Sequence, residues 1–135
     1  MAIDVGAIRD GIATNLATIS GLRTSGNVPD NVNPPVAVVF LEQVEYDDAF
    51  RGGLTTFMFN IMVIVSRADE RTAQNQLNEF ISPDGTRSIK SAVESDRTLG
   101  GLVQTLRLRA VTSVGSTIIS EQEYMAAEFS VAVYA

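Results

Sequence analysis

Carboxylates are the most numerous side chains here suited to general acid–base work, because the chain carries 16 Asp and Glu residues and no His or Cys. Without histidine it lacks the commonest general base and metal ligand, and without cysteine it lacks disulfides, thiolate sites and a thiol nucleophile. Asp47 and Asp48 form one adjacent pair near a strand end. Neighbouring strand residues point to opposite faces, so this pair suits a shared metal only if a turn folds the two together. Asp69-Glu70 falls in the expected first turn of a helix, where the dipole favours negative charge. Asp30, Asn31 and Asn33 offer oxygen ligands outside the order of a calcium loop. No nucleophile elbow, phosphate loop or dinucleotide fingerprint occurs. The expectation is a protein that is not an enzyme, with no catalytic residue, metal or cofactor.

The chain has 135 residues, enough for one domain with a proper core, and we expect a single domain over 1–135. Its 45% hydrophobic and 19% charged residues fit a globular fold rather than a disordered segment. The formal net charge is −6, a sign that repels phosphate backbones. The N-terminus carries no basic region followed by an apolar run, and no stretch reaches the roughly 18 apolar residues of a membrane span. A soluble protein made in the cytoplasm is expected, with no membrane partner.

The elements follow from periodicity. Val5, Ile8, Ile12, Leu16 and Ile19 make one helical stripe over residues 4–22, with Asp4 as N-cap and Gly21 as stop. Residues 23–35 read as loop, rich in Gly, Asn and Pro. A strand starts at Val36 and runs toward Tyr46. The clearest strand is Thr55 to Val65, with Phe57, Phe59, Ile61, Val63 and Val65 on one face and Met58, Asn60, Met62 and Ile64 on the other. At about 3.3 Å per residue it spans roughly 36 Å, against roughly 27 Å for the first helix, so the hairpin end near Asp47 to Gly53 is expected to project. Ser66 and Asp69 resemble a capping box opening a helix that buries Ala73, Leu77, Phe80 and Ile81. Pro83-Asp84-Gly85 turns the chain, Ser88 caps a short helix, and Gly100-Gly101 is placed as its C-cap. Strands are expected over 102–112 and 124–134, with a turn around Gly115. The order α-β-β-α-α-β-β describes an α+β fold: an antiparallel or mixed sheet of four to five strands, with helices packed on one face.

Three places stand out as contact surfaces rather than chemistry. Phe50 and Arg51 sit beside Asp47 and Asp48 in the turn, where an exposed phenylalanine and a bidentate arginine suit a partner. Met58 and Met62 make the second face of the long strand apolar; a covering helix explains them, and otherwise a neighbouring protein must. Arg107 and Arg109 share one face of a strand. They are open to cross-strand pairing with Glu128 or to an electrostatic contact between subunits.

The Arg51-Gly52-Gly53 turn, the long strand into Val65-Ser66-Arg67, Asp69-Glu70-Arg71, Pro83-Asp84-Gly85, Ser88-Ile89-Lys90 and the stretch from Asp96 to Gly101 are signatures of structure, not catalysis. In that order, over nearly the whole length, the chain resembles the lambda-type tail terminator proteins of long-tailed phages, particularly phages of actinobacteria. The resemblance implies a virion protein of the tail and neck. It implies a ring, commonly of six copies, that caps the tail tube, ends its polymerisation and docks to the head-completion or neck protein. DNA would pass through the lumen without binding, which agrees with the acidic balance. Two other readings stay open: another neck or tube-related component, and a small carboxylate-dependent enzyme around Glu45, Asp47 and Asp48. The charge alone makes one prediction. Fluorescence anisotropy with duplex DNA should show no binding at physiological salt, and tight binding with a steep salt slope would reverse this reading of the charge.

Overall fold

The computed structural model describes residues 4–19, 22–25, 35–46, 55–67, 72–119 and 121–135. Asp4 is extended and its carboxylate accepts the Ala7 N–H at 3.2 Å, which starts α1 (Val5–Leu16) where the sequence places it. Ile8, Ile12 and Leu16 are fully buried along its inner stripe. The helix ends well short of residue 22. The Thr18 hydroxyl donates to Asn15 O at 2.7 Å, and the N–H groups of Thr18 and Ile19 bond back to Asn15 and Leu16, tightening the last turn. Ile19 and Leu22 remain in the core, and the chain then enters a three-residue strand, β1 (Arg23–Ser25), inside the region read as loop.

The remaining elements are β2 (Val36–Glu45), β3 (Thr56–Arg67), α2 (Ala73–Ile81), α3 (Ile89–Val93), β4 (Thr105–Ile119) and β5 (Gln122–Tyr134). Among the described residues the fold is α+β: one open five-stranded mixed sheet, ordered β1-β2-β3-β5-β4, with three helices. Only β1 pairs in parallel; the other pairings are antiparallel. The long strand of the sequence is thus the middle of the sheet, as its two-sided apolar content demands. Phe57, Phe59, Ile61 and Val63 pair across with Val133, Val131, Phe129 and Ala127 of β5. Those residues, with Ile8, Ile12, Leu77, Phe80, Ile89 and Val93 of the helices, form one core cluster. All three helices therefore lie on the phenylalanine face, each buried large side chain contributing about 1.5–3 kcal/mol.

Several boundaries differ from the sequence expectation. Strand β3 continues through Arg67, because a bulge after Ile64 lets Ser66 and Arg67 pair with Met125 and Tyr124. Ser66 is accordingly a buried strand residue and not a helix cap; α2 begins after Thr72, with no side-chain cap bond. Strand β4 starts at Thr105, leaving Leu102 outside it and exposed, and runs through the expected turn at Gly115. Gly115 sits at φ 149°, a conformation that side-chain-bearing residues rarely adopt, beside a second bulge between Thr112 and Gly115. Ile118 and Ile119 end this strand. The C-cap of α3 is Glu94, and Gly100-Gly101 belong to the later turn into β4. The expected projecting turn at Asp47 to Gly53 lies outside the described residues.

One buried polar side chain ties the helices together. Asn15, 8% exposed in α1, donates through Nδ2 to Val93 O at 3.0 Å and Asp96 O at 3.2 Å. It thereby satisfies carbonyls at the end of α3 that have no partner within that helix. Replacing it leaves the buried Val93 carbonyl without this donor, while Asp96 O keeps the Leu99 N–H, so Asn15→Ala is expected to cost about 1–3 kcal/mol in urea denaturation. A cost below about 0.5 kcal/mol would mean that the tie is dispensable, as most surface changes are.

Candidate functional site

Among the described residues, no group of three His, Cys, Asp or Glu side chains is placed to hold a metal ion. Asp47, Asp48, Phe50 and Arg51 lie outside the described residues; Glu45 is exposed at the end of β2. No helix among the described residues is long and apolar enough to cross a membrane.

The face of the sheet away from the helices carries Val36, Val38, Phe40, Met58, Met62, Ile64, Ala126 and Ala132 together with the polar Gln43, Asn60, Glu128 and Ser130, as the paired rows require. Val36, Ile64, Tyr124 and Ala126 form a second apolar cluster there, with Met62 and Ile119 packed against it. The helix cover that would have explained Met58 and Met62 is on the opposite face. Both methionines are half-buried, and Asn60, 7% exposed between them, has a buried Oδ1 that accepts no hydrogen bond. This face is apolar without being dry in its chemistry.

The large apolar residues that are exposed gather elsewhere. Leu41 and Tyr46 stand on or just after β2, Leu102 just before β4, and Val114 and Ile118 on β4. Each flanks one side of the sheet: among the described residues β4 is its last strand, and beyond the three residues paired to β1 so is β2. Both strands carry a bulge in their regular ladders. On β2 the register shifts between Leu41 and Gln43, leaving Glu42 as the extra residue. On β4 it shifts between Leu108 and Ala110, leaving Arg109. Bulges of this kind disrupt an edge that would otherwise accept a foreign strand.

Arg107 and Arg109 are exposed and make no ion pair among the described residues. The expected cross-strand partner is not there. Arg107 pairs with Ala132, Arg109 falls in the bulge, and Glu128 lies opposite Thr112 and Met62 instead. The register is the reason: with Arg107 opposite Ala132, Glu128 stands four residues away along β5. With Lys90 of α3, the two arginines line an open hollow of about 580 Å³ that also touches Ile81, Val111 and Tyr134.

Glu94 is the residue that the sequence reading passed over. Its Oε2 accepts the Leu108 N–H on β4 at 3.0 Å and lies 2.9 Å from Lys90 Nζ, while Oε1 lies 3.2 Å from Arg97. Its i−4 and i+3 spacing to Lys90 and Arg97 was visible in the sequence; the strand amide across the fold was not. Burial opposes ionisation, but the Lys90 hydrogen bond, the Leu108 amide and the charges of Lys90 and Arg97 outweigh it and hold the carboxyl below its ordinary pKa. The helix side is thereby fastened to β4, and the outward N–H of Leu108 is occupied. The chain matches no model of a known protein family and none of the curated proteins with which it was compared.

The lowered pKa of Glu94 gives a signed prediction. The ionised side chain stabilises the fold above the ordinary glutamate pKa, and that contribution fades as pH falls through the lowered folded-state value. Glu94→Gln keeps an acceptor but removes the charge, so it should cost about 1–2 kcal/mol at neutral pH and progressively less toward strong acid. A cost independent of pH, measured by urea denaturation across the acid range, would show that the charge is not what matters.

Proposed function

We propose that this chain is a structural subunit of a long-tailed phage virion that assembles as a ring, caps the tail tube and presents the joint to the neck. The observation that carries the proposal is the placement of exposed apolar side chains along two different edges of one sheet: Leu41 and Tyr46 on the β2 side, Leu102, Val114 and Ile118 on the β4 side. A twofold dimer uses one patch against itself. Two distinct patches on opposite sides favour head-to-tail contacts, which close into rings when the rotation permits. The half-buried Met58 and Met62 face, with the unpaired Asn60 oxygen, is a second surface, suited to the tube or the neck protein. Four supports for the resemblance lie within the described residues: the long strand, the Pro83-Asp84-Gly85 turn, the Ser88 cap and the turn through Gly101.

Negative-stain microscopy of the purified protein, with and without tail tubes, tests the reading. Rings at tube ends and tubes of uniform length are the expected result. Protein that stays monomeric at high concentration and ignores tube ends would overturn it. Met58→Asp adds a check on the second surface, because Met58 faces Gln43 and Ala132 and has no carboxylate opposite it. We expect unchanged circular dichroism, intact rings and lost tube capping; normal capping would remove that face from the proposal.

A further inference from the structure

We infer that neighbouring copies meet edge to edge, with the acidic side of β2 on one copy, Glu42 and Glu45, seated against the basic side of β4 on the next, Arg107 and Arg109. This rests on head-to-tail association and names the surfaces that carry it.

The levels of the two edges can be traced across the sheet. Gln43 pairs with Met58, Met58 with Ala132, and Ala132 with Arg107. Leu41 pairs with Phe59, Phe59 with Val131, and Val131 with Leu108, the residue before Arg109. Glu42 therefore lies between the row of Arg107 and the row adjoining Arg109, on the far side of the sheet. Glu45, Thr56, Tyr134 and Thr105 form the last row. Just beyond it, Tyr46 is 77% exposed on one side and Leu102 41% exposed on the other. A neighbour displaced along the sheet's width, without sliding along the strands, brings Glu42 between the levels of Arg107 and Arg109, and Glu45 to the level of Thr105, two residues from Arg107.

These groups cannot satisfy one another within a copy. Three inter-strand spacings separate β2 from β4, roughly 14 Å. Nor does a twofold pairing serve either edge. β4 against β4 sets arginines against arginines, and β2 against β2 sets glutamates against glutamates. Only the mixed pairing is attractive.

Strand direction agrees as well. Successive antiparallel pairings make β2 and β4 antiparallel to each other, so the meeting edges run oppositely in adjacent copies. The contact is nevertheless one of side chains and not an extended ladder. Glu94 already holds the Leu108 N–H, and both edges are bulged at the charged residue itself. The hollow beside β4, bordered by Lys90, Arg107 and Arg109, gives an incoming carboxylate a place with no carboxylate among its described lining residues.

Charge reversal tests this in sedimentation velocity at low and high salt. Arg107→Glu with Arg109→Glu, and separately Glu42→Arg with Glu45→Arg, should each weaken self-association at least about tenfold, because like charges then face each other. All four substitutions in one chain, or an equimolar mixture of the two double variants, should restore it. Wild-type association should weaken with added salt. Circular dichroism and thermal melting of each variant establish folding, and the mixture requires only that the two doubles fold. Wild type that associates while ignoring both reversals overturns this interface and leaves the ring standing. Loss without restoration overturns the pairing too, and a monomeric wild type overturns both.

Discussion

Burying the phenylalanine face of β3 is the constraint from which the rest of the structure follows. Phe57, Phe59, Ile61, Val63 and Val65 must leave water together, and a strand can do that only if something covers its whole length on one side. Helix α1 covers the β2 side, α2 the centre and α3 the β4 side. Twelve, nine and five residues of helix are a small amount of material for that task. With all of it spent on one face, the other side of the sheet is left to its own side chains, and the edges to theirs.

That distribution explains why polar groups hold the helical layer in place. The five-residue α3 is too short to be stable by its own hydrogen bonds. The Ser88 cap, the Asn15 amide on its last carbonyls and the Glu94 carboxylate on β4 fix it from three directions. Each bond is modest in net terms, but each would leave a buried group unpaired if lost, which is the larger quantity. Leu99 follows in a left-handed conformation at φ 52° with its side chain against Gly11 of α1, so the turn into β4 is also held by packing on the first helix.

The sequence showed what has a period. The alternation of β3 and β5, the stripe of α1 and the caps Asp4 and Ser88 were all legible, because each is a local pattern with a local cause. What it hid was non-local. Strand β1 is three residues long and owes its existence to parallel pairing with Val36 to Val38, which no window on Arg23 to Ser25 could reveal. Gly115 looked like a turn, and only the partner strand shows that the chain passes through it extended and bulged. Arg107 and Arg109 read as neighbours on one face with Glu128 in reach, and only the pairing shows Arg107 opposite Ala132 and Glu128 opposite Thr112. Glu94 had its two basic neighbours in plain view, and its third partner sits 14 residues on.

The charged bulges and the occupied amide together set what kind of association the edges permit. An open, regular edge accepts any strand, which leads to uncontrolled growth of sheet on sheet. Here the ladder is interrupted at Glu42 on one edge and Arg109 on the other, and the N–H of Leu108 is already taken. What remains available is a pattern of side chains that only the complementary edge can match. Specificity then comes from charge order rather than from backbone hydrogen bonds, and its strength depends on how well the surrounding apolar residues exclude water. In the proposed interface the exposed Tyr46 and Leu102 would flank the charges at one end and exclude water from otherwise weak ion pairs.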